Sequence, residues 1–297
     1  SGDSSCTLPP ISLSGEVQEE LIRQTGLLAK ELKVLGLINI QFAIENGKIY
    51  ILEVNPRASR TVPFSSKARG IPFSQIAMKV MMGKKLKDMN VPEDLTMDRV
   101  YVKESVFPFQ KFPRTDIILG PEMRSTGEVM GGGATFGEAF AKAMLSSGFR
   151  LPQEGRVFLS VRDADKKALA PIAIELHDLG FTLCGTRGTA AYLEDHGLNI
   201  EIVNKVDEGR PHVVDMIKNG DIQLVINTST LGIHEVGAAY ELRRNTLMRN
   251  LCYFTTIPAA RAGTRAIAQM RQTPVSTMCL QERKKQKPTK ASPSLML

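Results

Sequence analysis

The chain has 297 residues, 42 % apolar and 23 % charged, with a net charge of +7. This is an ordinary globular mixture of about two domains, and since no apolar run reaches the roughly 18 residues of a membrane-spanning helix, such a segment is not expected. With no Trp and 6 % aromatic residues there is little to stack on bases, which excludes nucleic acid as the partner of the positive charge; phosphorylated small molecules account for it equally well.

The chain opens on Ser1-Gly2-Asp3 rather than on Met, as a fragment or processed product would. No basic-then-apolar leader is read there. Ser14 is the expected N-cap of a first helix that runs to about Leu35, with Val17, Leu21, Leu28 and Leu32 at helical spacing and Gly36 as its stop. A hairpin follows. Ile38, Ile40, Phe42 and Ile44 alternate with Asn39, Gln41 and Ala43, the turn falls at Glu45-Asn46-Gly47, and Tyr50, Leu52 and Val54 alternate with Ile51, Glu53 and Asn55. A two-residue Asn-Gly turn would pair Ile44 with Ile49 and send Gln41 and Glu53 to opposite faces. A three-residue turn pairs Ile44 with Lys48 and gathers Gln41, Glu53 and Asn55 on one face, so that turn is expected. Residues 73–83 read as an amphipathic helix, 84–98 as a charged connector, 100–109 as a strand and 136–145 as a helix. Gly131-Gly132-Gly133 lacks the Lys-Ser/Thr ending of a phosphate loop and reads as a flexible turn before that helix.

Gly148 to Glu154 is the expected domain boundary. Beyond it, strands at 156–161, 181–184, 200–204, 222–227 and 252–254 alternate with helices at 165–179, 189–196, 211–219, 236–249 and 258–271, which implies a parallel sheet with helices on both faces. A basic tail from Arg283 reads as a solvated, disordered end. Cys6, Cys184, Cys252 and Cys279 form no CxxC pair and are expected to be reduced thiols of a cytoplasmic protein. His177, His196, His212 and His234 show no metal spacing.

Two constellations carry chemistry. Gln41, Glu53 and Asn55 offer hard oxygen donors from one sheet face, the kind of set that holds Mg²⁺ against nucleotide phosphates. Arg57 and Arg60 follow with forked donors for phosphoryl oxygens. The same residues also suit a solvated sheet face with surface arginines. In the strand–helix half, Lys166, Thr186-Arg187-Gly188-Thr189, Lys205 and Asn227-Thr228-Ser229 all fall at the carboxyl ends of parallel strands, where open α/β sheets bind ligands and helix starts favour phosphate.

The runs Ser1-Gly2-Asp3-Ser4, Gln41-Phe42-Ala43, Glu53 to Arg60 (EVNPRASR), Thr61-Val62-Pro63-Phe64 and Leu119 to Gly131 (LGPEMRSTGEVMG) resemble the large subunit of carbamoyl-phosphate synthase. Matching segments continue to about Thr256, and the Pro-Glu-Met-Arg-Ser-Thr-Gly-Glu-Val-Met-Gly run is the most particular of them. The resemblance implies an α/β chain: an α+β ATP-grasp remainder with an antiparallel sheet, then a parallel-sheet α/β domain like methylglyoxal synthase. The expected division is 1–150, 151–280 and a tail at 281–297.

By the same resemblance Gln41, Glu53 and Asn55 are Mg²⁺ or Mn²⁺ ligands, with Gln41 and Glu53 also touching ATP, Ser1 at the nucleotide pocket, K⁺ as a further ion, and Arg57 and Arg60 near the transferred phosphoryl group. Lys166, Thr186, Thr189, Lys205 and Asn227 match positions that bind effectors such as UMP or IMP. Asp3 and Glu104 match positions where some members bind an ornithine-like activator, although a surface acid is an equal reading of both, and Thr255 is a further expected effector residue. The sequence departs from the familiar pattern at Ser229 to Ile233, which replaces a more basic stretch, and at Phe254, where an acid is expected.

The implied activity is ATP-dependent phosphorylation of carbamate, fed by bicarbonate and by ammonia that a separate glutamine amidotransferase subunit releases, within a homo-oligomer of heterodimers serving arginine and pyrimidine biosynthesis. Family members carry a longer N-terminal portion, so this chain alone is expected to lack full synthase activity. The alternatives are another ATP-grasp ligase and an effector-binding module without catalysis.

Overall fold

The computed structural model describes residues 2–92, 97–112, 117–120, 122–228, 238–277 and 279–283. The chain divides into two compact units, Ser1–Ser5 with Val102–Ser276 and Cys6–Tyr101 with Thr277–Leu297.

The smaller unit holds β1 (Cys6–Leu8), α1 (Gly15–Glu31), the hairpin β2 (Asn39–Glu45) and β3 (Lys48–Asn55), α2 (Thr61–Arg69) and α3 (Phe73–Met81). Ser14 caps α1 as expected, its hydroxyl accepting the Val17 N–H at 3.4 Å. The helix stops well short of Gly36. Lys33 takes a left-handed conformation, φ 50, and the Lys33 and Val34 amides fold back to the Lys30 and Ala29 carbonyls. That is a Schellman ending with lysine where glycine is usual, so the end of the helix carries no glycine signal. α2 was not expected. Pro63 is tolerated because amides of the first turn have no intrahelical acceptor; Phe64 and Ala68 of α2, Ala77 of α3 and Ile71 between them are buried, and the two helices are in contact.

The hairpin corrects one expectation and keeps its purpose. Asn46 and Gly47 have φ 51 and φ 78, a two-residue turn of type I′ whose twist matches the flanking strands. Glu45 pairs with Lys48 and Ile44 with Ile49, not with Lys48 as the three-residue turn required. A bulge then intervenes: Phe42 pairs with Ile51 but Gln41 pairs with Glu53, leaving Leu52 as the extra residue. One extra residue reverses the alternation of the return strand. The turn and the bulge together therefore give the face that a three-residue loop would have given.

In the larger unit, β4 (Val100–Val106, from Val102 on) neighbours β5 (Gly127–Gly133), and α4 (Phe136–Ser146) packs on β5. The triple glycine is thus the end of a strand and not a flexible turn. A Cβ at Gly131 would stand 2.0 Å from the Ala139 carbonyl oxygen and 2.5 Å from the Ala143 nitrogen. Glycine is needed there for close approach of a helix to a strand.

The rest is a strand–helix alternation: β6 (Arg156–Ser160), α5 (Asp163–Asp178), β7 (Thr182–Gly185), α6 (Arg187–Glu194), β8 (Glu201–Ile202), α7 (Val213–Asn219), β9 (Leu224–Asn227), α8 (Ala238–Met248), β10 (Cys252–Phe254) and α9 (Ile257–Gln272). The strands pair in parallel in the order β10-β9-β6-β7-β8, which bears out the parallel sheet. Val157, Phe158 and Leu159 of β6 and Leu224, Val225 and Ile226 of β9 are all buried, as strands covered on both faces must be. The chain winds outward from β6 through β7 to β8, then returns to β9 on the other side. The order reverses beside β6, and the carboxyl end of such a switch point is where open α/β sheets bind ligands. Burial pushes the Cys184 and Cys252 thiols up to about 12, so both are inert packing groups at neutral pH. Among the described residues no helix is long and apolar enough to cross a membrane.

Candidate functional site

The hairpin places Gln41 directly across from Glu53, and Asn55 across from Asn39. Opposed residues share a face with Cβ atoms about 5 Å apart, and residues two apart on a strand share that face too. Gln41, Glu53 and Asn55 are thereby brought together, with Asn39 as a further amide whose pairing with Asn55 the sequence reading did not weigh. Glu53 is exposed and the amides are half-buried, so the face is open. Among the described residues no group of three or more His, Cys, Asp or Glu could hold a metal. The hairpin set is of another composition, one carboxylate and several amide oxygens, and such hard donors fit a divalent cation that keeps sites for water and phosphate.

Arg57 and Arg60 lie on the loop between β3 and α2, next along the chain from Asn55. The Arg57 amide donates to the Asn55 carbonyl at 2.8 Å, and its guanidinium donates to the Ala58 carbonyl at 3.0 Å. Arg60 immediately precedes the first turn of α2. Ser1 lies outside the described residues.

Asp3 and Glu104 already have partners within the chain. The Asp3 carboxylate accepts the Arg124 amide at 2.6 Å and the Ser125 amide at 2.9 Å. Burial works against the charged form of Asp3, yet the hydrogen bonds from Ser125 and Arg124 prevail and hold its pKa below the ordinary value. For Glu104 the balance goes the other way. Burial raises its pKa against the Ser5 hydroxyl, which donates to it at 2.5 Å, the Ser105 amide and the Lys103 ammonium. With Gly2 accepting from the Ser105 and Ser125 hydroxyls, the two acids clasp residues 2–5 to β4 and to residues 124–125.

At the carboxyl end of β6 a polar cluster surrounds Ser160. The Thr186 hydroxyl lies 3.2 Å from the Ser160 hydroxyl and 3.4 Å from that of Thr189, which itself accepts the Val161 amide at 3.2 Å. The Thr228 hydroxyl accepts the Arg162 amide at 3.2 Å. Asn227 donates its Nδ2 to the Ser160 carbonyl at 2.9 Å and accepts the Tyr253 hydroxyl on Oδ1 at 2.8 Å. Thr186 is the N-cap of α6 but spends no side-chain oxygen on capping it; its carbonyl accepts the Thr189 amide at 2.9 Å, which leaves the Arg187 and Gly188 amides without an acceptor inside the helix.

Lys166 completes the arrangement. Its side chain is 18 % exposed, while that of its ion-pair partner Asp163, 2.8 Å away, is 94 % exposed. The Lys166 side chain is thus mostly covered, and its ammonium stands 3.5 Å from the place a Cβ on Gly188 would occupy, over the first turn of α6. The Asp163 carboxylate already balances this cation, and a cation beside a helix start is where a further anion is favoured. Lys205 follows β8 and Thr255 follows β10, the two edge strands, so both stand on this side of the sheet but at its flanks. Lys205 is exposed, its amide bonded to Glu208 at 2.9 Å, and Thr255 is exposed too. Lys166, Thr186, Thr189 and Asn227 are brought together. Ser160 and Tyr253, which the sequence reading missed, join them. Neither carries a local sequence signal for this role. Ser229 to Ile233 lie outside the described residues.

Residues 1–89 match the family described as carbamoyl-phosphate synthase L chain, ATP binding domain, and residues 168–255 match the MGS-like domain. The carbamoyl phosphate synthase large chain of Pasteurella multocida is 54 % identical over 262 residues, 88 % of this chain and 24 % of that one. The large chain of Neisseria meningitidis serogroup A is 51 % identical over 262 residues, again 88 % and 24 %. That of Myxococcus xanthus is 49 % identical over 282 residues, 95 % of this chain and 26 % of the other. The chain thus spans about a quarter of the length of these curated relatives. The chain belongs to the carbamoyl-phosphate synthase large-chain family and corresponds to its C-terminal part, the remainder of the ATP-binding domain followed by the MGS-like domain.

Proposed function

We propose that the chain supplies the metal-binding half of a kinase site that phosphorylates carbamate with ATP, and an effector domain that regulates it. The single observation that supports the first part is the bulged hairpin register, which sets Glu53 opposite Gln41 with Asn55 beside it. Mg²⁺ or Mn²⁺ would be held there by Glu53, Gln41 and Asn55, and when bound it would neutralise charge on the nucleotide phosphates. Arg57 and Arg60 would steady the transferred group, ADP would leave, and K⁺ is a further proposed ion. Bicarbonate, and ammonia released from glutamine by a separate amidotransferase subunit, would feed the reaction, whose product would serve arginine and pyrimidine synthesis.

The proposed effector site is the cluster of Lys166, Thr186, Thr189 and Asn227, with Lys205 and Thr255 at its flanks, and its ligand class is a nucleoside monophosphate such as UMP or IMP. The Lys166 ammonium over the α6 start supports it. Asp3 and Glu104 are proposed as clasp residues rather than as a site for a cationic activator, because their oxygens already accept chain donors. This chain by itself is proposed to lack full synthesis, in keeping with its share of its relatives' length.

Calorimetric titration of the whole chain with ATP·Mg²⁺ and, separately, with UMP and IMP tests both parts. Binding of both kinds of ligand is expected, with ATP·Mg²⁺ binding weakened in Glu53→Ala and UMP binding untouched by that change. Heat from UMP or IMP alone would favour the regulatory module without catalysis.

A further inference from the structure

Asn227 is buried at the end of β9 with both ends of its amide engaged. Its Nδ2 donates to the Ser160 carbonyl, which also accepts the Thr228 amide at 3.1 Å and so has both lone pairs filled. Its Oδ1 accepts the Tyr253 hydroxyl. A flipped amide would set oxygen against the Ser160 carbonyl oxygen, so the carbonyl dictates the orientation and the tyrosine locks it. The contact follows from register: Tyr253 pairs with Val225, and the same-face diagonal neighbour of that pair is Asn227, within reach of a long aromatic side chain. One Nδ2 proton of Asn227 remains after the Ser160 bond is counted, at the strand edge that Lys166, Thr186 and Thr189 share.

We propose that Tyr253 is a positioning residue of the strand-end pocket: its hydroxyl fixes the Asn227 amide so that the remaining Nδ2 proton is presented to an acceptor oxygen of a bound nucleoside monophosphate. The inference rests on the reading of this pocket as a nucleotide site and adds to it a residue that touches no ligand and acts through Asn227.

The test is a double-mutant cycle on the whole chain, titrated with UMP by calorimetry and melted without ligand. Tyr253→Phe removes one oxygen and is expected to weaken UMP binding about five-fold, the worth of a single neutral hydrogen bond, and to lower the ligand-free Tm as well, because the buried Asn227 Oδ1 loses its donor. Asn227→Ala is expected to weaken binding at least as much. The decisive expectation is that Y253F adds nothing in the N227A background, because the residue it acts through is gone. A purely structural role of Tyr253 would lower the Tm alike but would cost the same UMP affinity, or none, in both backgrounds. Unchanged UMP affinity in Y253F, or additive losses in the double variant, overturns the inference while leaving the pocket standing. Wild-type chain that binds neither UMP nor inorganic phosphate overturns the pocket and the inference together.

Discussion

Burial raises the Glu104 carboxyl above its ordinary value of 4.5, and the Ser5 hydroxyl, Ser105 amide and Lys103 only partly oppose it. A raised folded pKa means that the folded state holds the proton more tightly than the unfolded chain does. The stability this provides is complete below the unfolded value and is lost as pH rises through the folded one. Glu104→Gln, which keeps an acceptor for Ser5 without the charge, should therefore melt higher than wild type at pH 8. The gap should close as the pH falls below 4.5, where both side chains are neutral; thermal melts across that range measure it. Asp3 has the opposite sign, since its lowered pKa supports the fold at neutral pH and that support fades as acid protonates it. At this scale the sequence made charged and hydroxyl residues at strand ends legible, because Lys166 and Thr186 fall where anions bind whatever their neighbours do. It could not disclose Ser160 or Tyr253. Their roles come from hydrogen bonds between strands distant in sequence, and nothing local marks either residue.

The hairpin and the glycine strand teach the same lesson about elements. Alternation was legible in β2 and β3, and the demand that Gln41 and Glu53 share a face was read correctly from it. The means were not, because a turn and a bulge can exchange the same single residue. Asn46-Gly47 suits a type I′ turn so well that the structure keeps it and places the irregularity at Leu52 instead. At Gly131 a run of glycines read as a turn, since only the packed helix reveals that backbone must approach backbone. Gly131→Ala would force apart α4 and β5. Chemical denaturation should record a loss of about 1–3 kcal/mol or more for this overpacking. Gly120→Ala, where an added Cβ meets nothing within 4 Å, should cost far less.

Across the whole chain, the alternation beyond Arg156 gave the parallel sheet away, whereas strand order and the switch point at β6 emerge only from pairing. The segment 148–154 shows the limit of composition as a guide to boundaries. Gly148, Pro152 and the polar residues around them suggest a linker, yet the Cys252 thiol donates to the Arg150 carbonyl at 3.0 Å and Asn250 to that of Gly148 at 3.1 Å, which ties the segment into the larger unit. A functional division near residue 150, with an effector domain to about residue 280 and a basic tail after it, is kept as a proposal; limited proteolysis of the whole chain with and without UMP would test it, with protection by UMP expected downstream of residue 150.

The kinase reading depends on whether the open hairpin face takes a divalent cation. Electron paramagnetic resonance of free Mn²⁺, titrated with the whole chain, measures that directly. Loss of the free-ion signal at a stoichiometry of about one ion per chain, abolished in Glu53→Ala and deepened by ATP, is the predicted result. Equal signals with wild-type chain, Glu53→Ala and no protein at all would contradict it.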